Sequence, residues 1–388
     1  MSLNIKPRLI FELAALFVAG WLLITMGERL MHSHDFALRG GQPVFGDFIG
    51  FWSAGRATLD GHVDRVHDIG FIYQYHHVAA PGVRFIAWWN APPPFLLVMV
   101  LLARLPYGVA ALIWLSISIS VYLFAAWKVL PDKRAFLFAV TMPAALYHFG
   151  NAQVGLLFAG ITALALFWLD KRPRLAGALV GLLVIKPHLA ILWPVLLAIT
   201  GRWRAFFAAT ASFATLIVAA GLAFGWESYV RFFHNLETSE TLMSGLRVTT
   251  PSYAALYANL LKMHVPQMWA IGAHAVSAFS AFILAVWIFK RGDKSLQAAA
   301  LCSATLLITP YLFFYDFVLL GAGLAFLGMP RNKLEIVAYV LGWSAALSLA
   351  IGYYAPVPLC PIAAWSVLLI TLRRLGSVAL PQAQAQPT

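Results

Sequence analysis

Residues 205–224 read AFFAATASFATLIVAAGLAF, twenty positions without a charged side chain. At about 1.5 Å of rise per residue, a helix of that length crosses the roughly 30 Å hydrocarbon core of a bilayer. Inside hydrocarbon each backbone amide must bond within its own segment, so helix is the expected conformation. Residues 9–26, 268–289 and 334–352 are similarly apolar, the first and last with one carboxylate each, Glu12 and Glu335. Apolar runs bounded by Pro, Gly or charge fall near 9–27, 92–103, 107–127, 135–149, 153–169, 174–186, 187–200, 204–225, 267–289, 295–309, 311–328, 334–352 and 357–372.

The whole chain agrees with its runs. Of 388 residues, 61% are hydrophobic and only 11% charged, with mean hydropathy +0.80, so too few charges exist to cover a water-exposed surface. The expectation is an all-α polytopic membrane protein, a single integral domain over residues 1–388. The net charge of +12 is split into short clusters between apolar runs: Lys6/Arg8, 128–134, 170–174, Arg202/Arg204, 290–294, Arg331/Lys333 and Arg373/Arg374. That is the positive-inside pattern of cytoplasmic helix ends, with membrane lipids as the partner and no nucleic acid.

The first run carries Glu12 and lacks a small-x-small cleavage site before Arg29, so it reads as a retained anchor. With its N-terminus cytoplasmic, residues 28–90 and 226–266 lie outside, as does the break at Lys186-Pro187. Loop 128–134 then falls on the wrong side, so a short segment, 92–103 or 135–149, must be re-entrant or broken. Broken helices are tolerated where they line a cavity. Residues 375–388, rich in Gln, Ala and Pro, read as a disordered tail.

The first outer segment holds six of the fifteen carboxylates (Glu28, Asp35, Asp47, Asp60, Asp64, Asp68) and six of the eleven histidines. A scaffold buried in lipid has no use for such a concentration. Phe45, Phe48, Phe51, Trp52 and Leu59 recur at helical spacing, with Asp47 off that face, which predicts an interfacial helix lying on the membrane and stopping at Asp60-Gly61. A second amphipathic piece is expected at 69–78. The histidines invite a zinc reading, but no helical His pair with a carboxylate partner stands out, and no metal is assigned. Cys302 and Cys360 lie far apart in apolar runs and form neither a disulfide framework nor a ligand spacing.

Several polar residues could carry chemistry. Asp47 could be a general base near headgroup phosphate and water, or simply a carboxylate offsetting a helix dipole or pairing with Arg56. Trp88, Trp89 and Asn90 precede Pro92-Pro93-Pro94; an indole there could stack on a sugar, or belong to an aromatic belt. Lys186 and His188 flank Pro187 between two half-length runs, where a lysine faces a cavity, binds an anion such as phosphate, or snorkels. His148, Asn151 and Gln153 form a polar turn that could bind hydroxyls or close an interhelical contact. Tyr315-Asp316 holds the deepest acid, able to bind a sugar or to pair with Lys186 or a histidine. No Walker loop, dinucleotide turn or nucleophile elbow is present.

Taken in order, Gly46-Asp47-Phe48 with Ser53-Ala54-Gly55, Pro92-Pro93-Pro94-Phe95, Leu105-Pro106-Tyr107, Gly150-Asn151-Ala152-Gln153, Ala176-Gly177, Lys186-Pro187, Arg202-Trp203-Arg204, Thr309-Pro310 and Tyr315-Asp316 resemble glycosyltransferase family 87 of the GT-C superfamily. The family's polar turn more often places Gly-Gln before Asn. The resemblance implies a GT-C fold with about 12 transmembrane helices and juxtamembrane helices in the first outer loop carrying a catalytic aspartate, the place of Asp47. It implies a bacterial inner-membrane enzyme with a periplasmic active site. The reaction implied is inverting transfer of a sugar, typically mannose, from a polyprenyl-phosphate donor to a lipid or glycan acceptor. Lys186 and His188 would bind the donor phosphate, and Trp89, Asn90, Asn151, Gln153, Tyr315 and Asp316 the substrates, with no cofactor.

Two other readings remain open from the residues. A lipid or solute transporter or flippase would also use broken helices and intramembrane charge, though no inverted repeat is visible. A non-catalytic lipid-binding or assembly subunit would make Asp47 dispensable.

Overall fold

The computed structural model describes residues 7–130, 139–237, 252–349 and 357–383. Its helices begin with α1 (Pro7–Met31), α2 (Phe48–Leu59), α3 (Ile69–Ala79), α4 (Pro93–Leu102) and α5 (Tyr107–Val129). They continue with α6 (Pro143–Asn151), α7 (Gly155–Trp168), α8 (Pro173–Leu182), α9 (Leu192–Ile199) and α10 (Trp203–Phe224). The last are α11 (Leu256–Lys262), α12 (Gln267–Arg291), α13 (Lys294–Ile308), α14 (Val318–Leu327), α15 (Lys333–Ser344) and α16 (Leu359–Ala383). Among the described residues there is no strand, only isolated bridges such as Tyr253 to Phe313.

Among the described residues four helices are long and apolar enough to cross a membrane: α5, α10, α12 and the stretch Leu359–Ser377 of α16. Their outward side chains suit lipid rather than water. Leu222 on α10 is 77% exposed and Met268 on α12 is 78% exposed, with other large apolar groups alongside. The shorter helices α7 and α13 are buried on nearly every face and form the interior. Helices α8 and α10 meet through glycine: a Cβ on Gly177 would stand 2.1 Å from the Ala205 carbonyl oxygen. Small residues at such a crossing let two backbones approach closely.

The break at Lys186 is present. Pro187 has no N–H and disfavours helix in the residue before it, and Lys186 sits at φ −143°, ψ 69° between two short 3-10 turns, Leu183–Ile185 and Pro187–Leu189. Helices α4 and α6 have only ten and nine residues, so both candidate half-segments are short; residues 131–138, ahead of α6, lie outside the described residues. The run at 334–352 is not one continuous helix, because α15 gives way to a 3-10 turn at Ala345–Leu347. The segment read as a disordered tail is helical as far as Ala383.

Three of the basic clusters meet around one carboxylate. Asp170 accepts from Arg202 at 3.2 Å and from Lys294 at 3.0 Å, drawing three basic clusters to one end. The segments 28–90 and 226–266 also meet: Arg231 donates to the Asp64 carbonyl at 3.2 Å. Arg374 departs from the pattern of an exposed helix-end charge. It is 4% exposed and pairs with Glu335 through two nitrogens, 2.7 and 3.1 Å from the carboxylate oxygens.

Helix α2 ends at Asp60, followed by Gly61 at φ +87°, where the sequence placed its stop. Its aromatic face, however, does not lie on the membrane. Phe48 stacks on Tyr107 with ring centroids 6.0 Å apart, Phe51 meets Phe95 edge-on at 5.2 Å, and the Trp52 indole donates to the Leu105 carbonyl at 3.0 Å. Gly55 rests on α4, where a Cβ would stand 2.5 Å from the Met99 carbonyl oxygen. Helical periodicity reports an apolar partner without saying whether it is lipid or protein, and here α3, α4 and α5 supply it.

Candidate functional site

Asp47 stands at the N-cap of α2, yet its side chain caps nothing. The contrast with Asp68 is direct, since that carboxylate accepts from Phe71 N at 3.0 Å and caps α3. Nor does Asp47 pair with Arg56, which binds Asp60 instead at 3.1 Å. The Asp47 carboxylate turns toward Gln153, whose Nε2 donates to Oδ2 at 2.6 Å. Among the described residues this is its one hydrogen bond, so Oδ1 retains its acceptor capacity.

The contact depends on two glycines. Gly46 has φ +43°, and a Cβ there would stand 2.5 Å from Asn151 Oδ1 and 2.8 Å from Asn151 Cα. Only a residue without a side chain lets the loop ahead of α2 press on the turn after α6. That turn is itself strained: Ala152 is left-handed at φ +46°, and the Trp114 indole fixes it by donating to the Ala152 carbonyl at 2.9 Å. Across the turn, Asn151 Nδ2 donates to the Tyr147 carbonyl at 3.1 Å. Gly150 abuts the Arg29 guanidinium, which donates to the Pro43 carbonyl at 3.3 Å.

Lys186 closes the other side. Its Nζ pairs with Asp316, lies 5.3 Å from the centre of the Tyr315 ring, and acts by its charge on Asp47. Asp316 is held in turn by the Phe313 N–H, which donates to Oδ2 at 3.0 Å. Burial is the largest influence on Asp47 and pushes its pKa above the ordinary carboxylate value; the Gln153 hydrogen bond and the Lys186 charge oppose it. A carboxylate with a raised pKa is a stronger base, provided it is still ionised at working pH.

The structure thus brings together Asp47, Gln153, Lys186, Tyr315 and Asp316, with Asn151 touching the loop through Gly46. Asn90 joins at the edge: it lies beside Tyr311, a residue within electrostatic reach of Asp47 and Asp316. His188 lies against the Tyr311 ring at 6.1 Å, and its Nε2 is buried without a hydrogen-bond partner among the described residues. His148 leaves its Nε2 in the same state, with its ring 5.7 Å from Tyr315. Trp89 does not offer a stacking face. It is 3% exposed, stacked on Phe95 at 5.5 Å and met edge-on by Phe51.

Sequence reading passed over Trp114, Arg29 and Tyr311 as members of this neighbourhood. An indole in the middle of an apolar helix carries no signal that its N–H will secure a turn 38 residues away. One histidine of the 28–90 segment, His76, is structural. His76 is fully buried between Ser53 Oγ, 2.9 Å from Nδ1, and the Ala87 N–H, which donates to Nε2 at 3.1 Å. Burial lowers its pKa to about 4, so the ring is neutral. Among the described residues no cluster of His, Cys, Asp and Glu could hold a metal.

A family model described as Glycosyltransferase family 87 matches residues 89–310. No curated protein and no solved structure is significantly similar to the chain. The matched segment contains Trp89, Asn90, Asn151, Gln153, Lys186 and His188, while Asp47 precedes it and Tyr315 and Asp316 follow it.

Proposed function

The chain belongs to glycosyltransferase family 87, and from that premise we propose that it transfers a sugar, mannose in the first instance, from a polyprenyl-phosphate donor to a hydroxyl of a lipid or glycan acceptor. The observation that supports this reading is the placement of Asp47. A carboxylate fixed by Gln153, with one oxygen still able to accept, lies within reach of the charge on Lys186.

In the proposed reaction the acceptor oxygen attacks the anomeric carbon while Asp47 Oδ1 takes its proton. The bond from that carbon to the phosphate oxygen breaks, and its electron pair leaves on the polyprenyl phosphate. Lys186 offsets the charge that develops there, with His188 beside it, so phosphate departure requires no metal. Attack opposite the leaving group inverts the anomeric configuration. Asn90, Asn151, Gln153, Tyr315 and Asp316 orient the reactants, and most of the rate gain comes from holding them in line.

The same reading places the chain in a bacterial inner membrane. It takes a GT-C fold of about 12 crossings with the site facing the periplasm, and α2 and α3 as its juxtamembrane helices. The test is incubation of membranes containing the chain with radiolabelled polyprenyl-phosphate-mannose, followed by assignment of the anomeric configuration of the product. Labelled product with inverted configuration supports the proposal. Retained configuration overturns the mechanism, and absence of transfer with outward movement of the intact donor lipid favours a transporter.

A further inference from the structure

Thr25, Glu28, Arg29 and His32 recur at intervals of three, one and three residues near the end of α1, and with Leu38, Arg39 and Gly40 they line an open groove of about 430 Å³. A small molecule or a lipid headgroup fits in that volume. Glu28, His32 and Arg39 are exposed, while the guanidinium of half-buried Arg29 abuts Gly150. One Arg29 N–H donates to the Pro43 carbonyl at 3.3 Å, which leaves other donors of the same fork for a ligand. His32 turns Nδ1 to the Glu28 carbonyl at 2.9 Å. Among the described residues the Glu28 carboxylate and the Arg39 guanidinium form no ion pair or hydrogen bond.

Below the groove the same helix face becomes apolar. Phe17, Trp21, Ile24 and Glu28 follow one another at intervals of four, three and four, so they share one side of α1. Phe17 is 75%, Trp21 54% and Ile24 63% exposed. From Phe17 to Glu28 the helix rises about 16 Å, close to the roughly 15 Å of hydrocarbon in one leaflet. A charged groove therefore stands over an apolar strip one acyl chain long. A free anion or a soluble peptide would leave that strip uncovered, whereas a phospholipid covers both parts.

The charges select the headgroup. Arg29 and Arg39 match a phosphodiester, but Glu28 in the same groove repels a bare phosphate unless a cation comes with it. Ionised Glu28 only accepts hydrogen bonds, and a primary ammonium brings three donors, while the trimethylammonium of choline brings none. A glycerol headgroup would leave Glu28 without a counter-charge. We infer that this groove holds a phospholipid with a primary-amine headgroup, of the phosphatidylethanolamine kind. Its phosphate sits on Arg29 and Arg39, its ammonium on Glu28, and an acyl chain lies along Ile24, Trp21 and Phe17. The lipid is a resident and not a reactant, because it has neither a hydroxyl to receive a sugar nor a sugar to give.

Native mass spectrometry of the full chain in detergent tests this, with phosphatidylethanolamine, phosphatidylcholine and phosphatidylglycerol of the same acyl chains added in equal amounts. The wild type retains phosphatidylethanolamine at least fivefold over the other two, and inorganic phosphate at the same concentration does not displace it. Glu28→Gln, which keeps the size and removes the charge, lowers phosphatidylethanolamine to the level of phosphatidylcholine. Arg39→Gln weakens retention of both. The two side chains are exposed, and thermal melting verifies that each variant is folded. Equal retention of the three lipids by the wild type overturns the inference, as does a preference that survives in both folded variants. Displacement by inorganic phosphate would make the groove a free-anion site and overturns it too. The assay contains no sugar donor and reads no transfer, so its outcome is independent of the transferase reading.

Discussion

Gln153 donates from Nε2 to Asp47 Oδ2 at 2.6 Å, joining residues 106 positions apart in the chain. The bond favours the ionised carboxylate, whereas burial favours the neutral acid. Gln153→Leu removes the stabilising partner and leaves the burial, so Asp47 holds its proton to higher pH. The acidic limb of the kcat/KM profile therefore moves to higher pH, and transfer at the plateau falls about tenfold as the carboxylate loses its orientation. An unmoved acidic limb would contradict a role for Asp47 as the ionised base.

Lys186 and Asp316 form a pair whose side chains are 13% and 1% exposed. Removing one partner of a buried pair strands the other charge, a change worth about 3–5 kcal/mol. Lys186→Met and Asp316→Asn each lower the melting temperature, and the double variant Lys186→Met/Asp316→Leu regains most of the loss. Sugar transfer does not return with it, because the leaving phosphate has lost its cation. Recovery of transfer together with stability would reduce Lys186 to a structural role.

His76 makes the segment 28–90 sensitive to acid. The folded ring takes a proton only near pH 4, whereas the unfolded chain does so at the ordinary 6.5. Between those values the unfolded state binds more protons, so the contribution is complete above about pH 6.5 and is lost as pH falls through about 4. A shift of that size is worth up to about 3 kcal/mol. Thermal melts of His76→Gln are less stable than wild type near neutrality and show a shallower decline over the window. A decline as steep as that of the wild type would assign the acid sensitivity elsewhere, with His67, also held near 4, the next group to replace.

Most of the helices were legible because hydrocarbon and buried protein both demand apolar runs of helical length, and the Lys186-Pro187 break because proline forbids the helix there. What periodicity could not report was the identity of the apolar partner. Phe48, Phe51 and Trp52 gave the pattern of an interfacial helix, but they pack on Tyr107, Phe95 and the carbonyl of Leu105. The site showed the same division. Polar residues in apolar surroundings marked Asp47, Gln153, Lys186 and Asp316, yet their pairing required three-dimensional closure, with Gly46 pressed on Asn151 and Trp114 securing Ala152. Trp89 was drawn in by its neighbours in sequence and turned out to be packing.

The central claim is that Asp47 is the base for sugar transfer, and Asp47→Asn tests it most directly, since the swap preserves size and the contact with Gln153 while removing the proton acceptor. Transfer from radiolabelled polyprenyl-phosphate-mannose is measured in membranes holding equal amounts of wild type and variant. The wild type transfers the sugar, and the variant loses at least a hundredfold of that rate. Transfer by Asp47→Asn at the wild-type rate would contradict it and move the base to another carboxylate, Asp316 or Asp60.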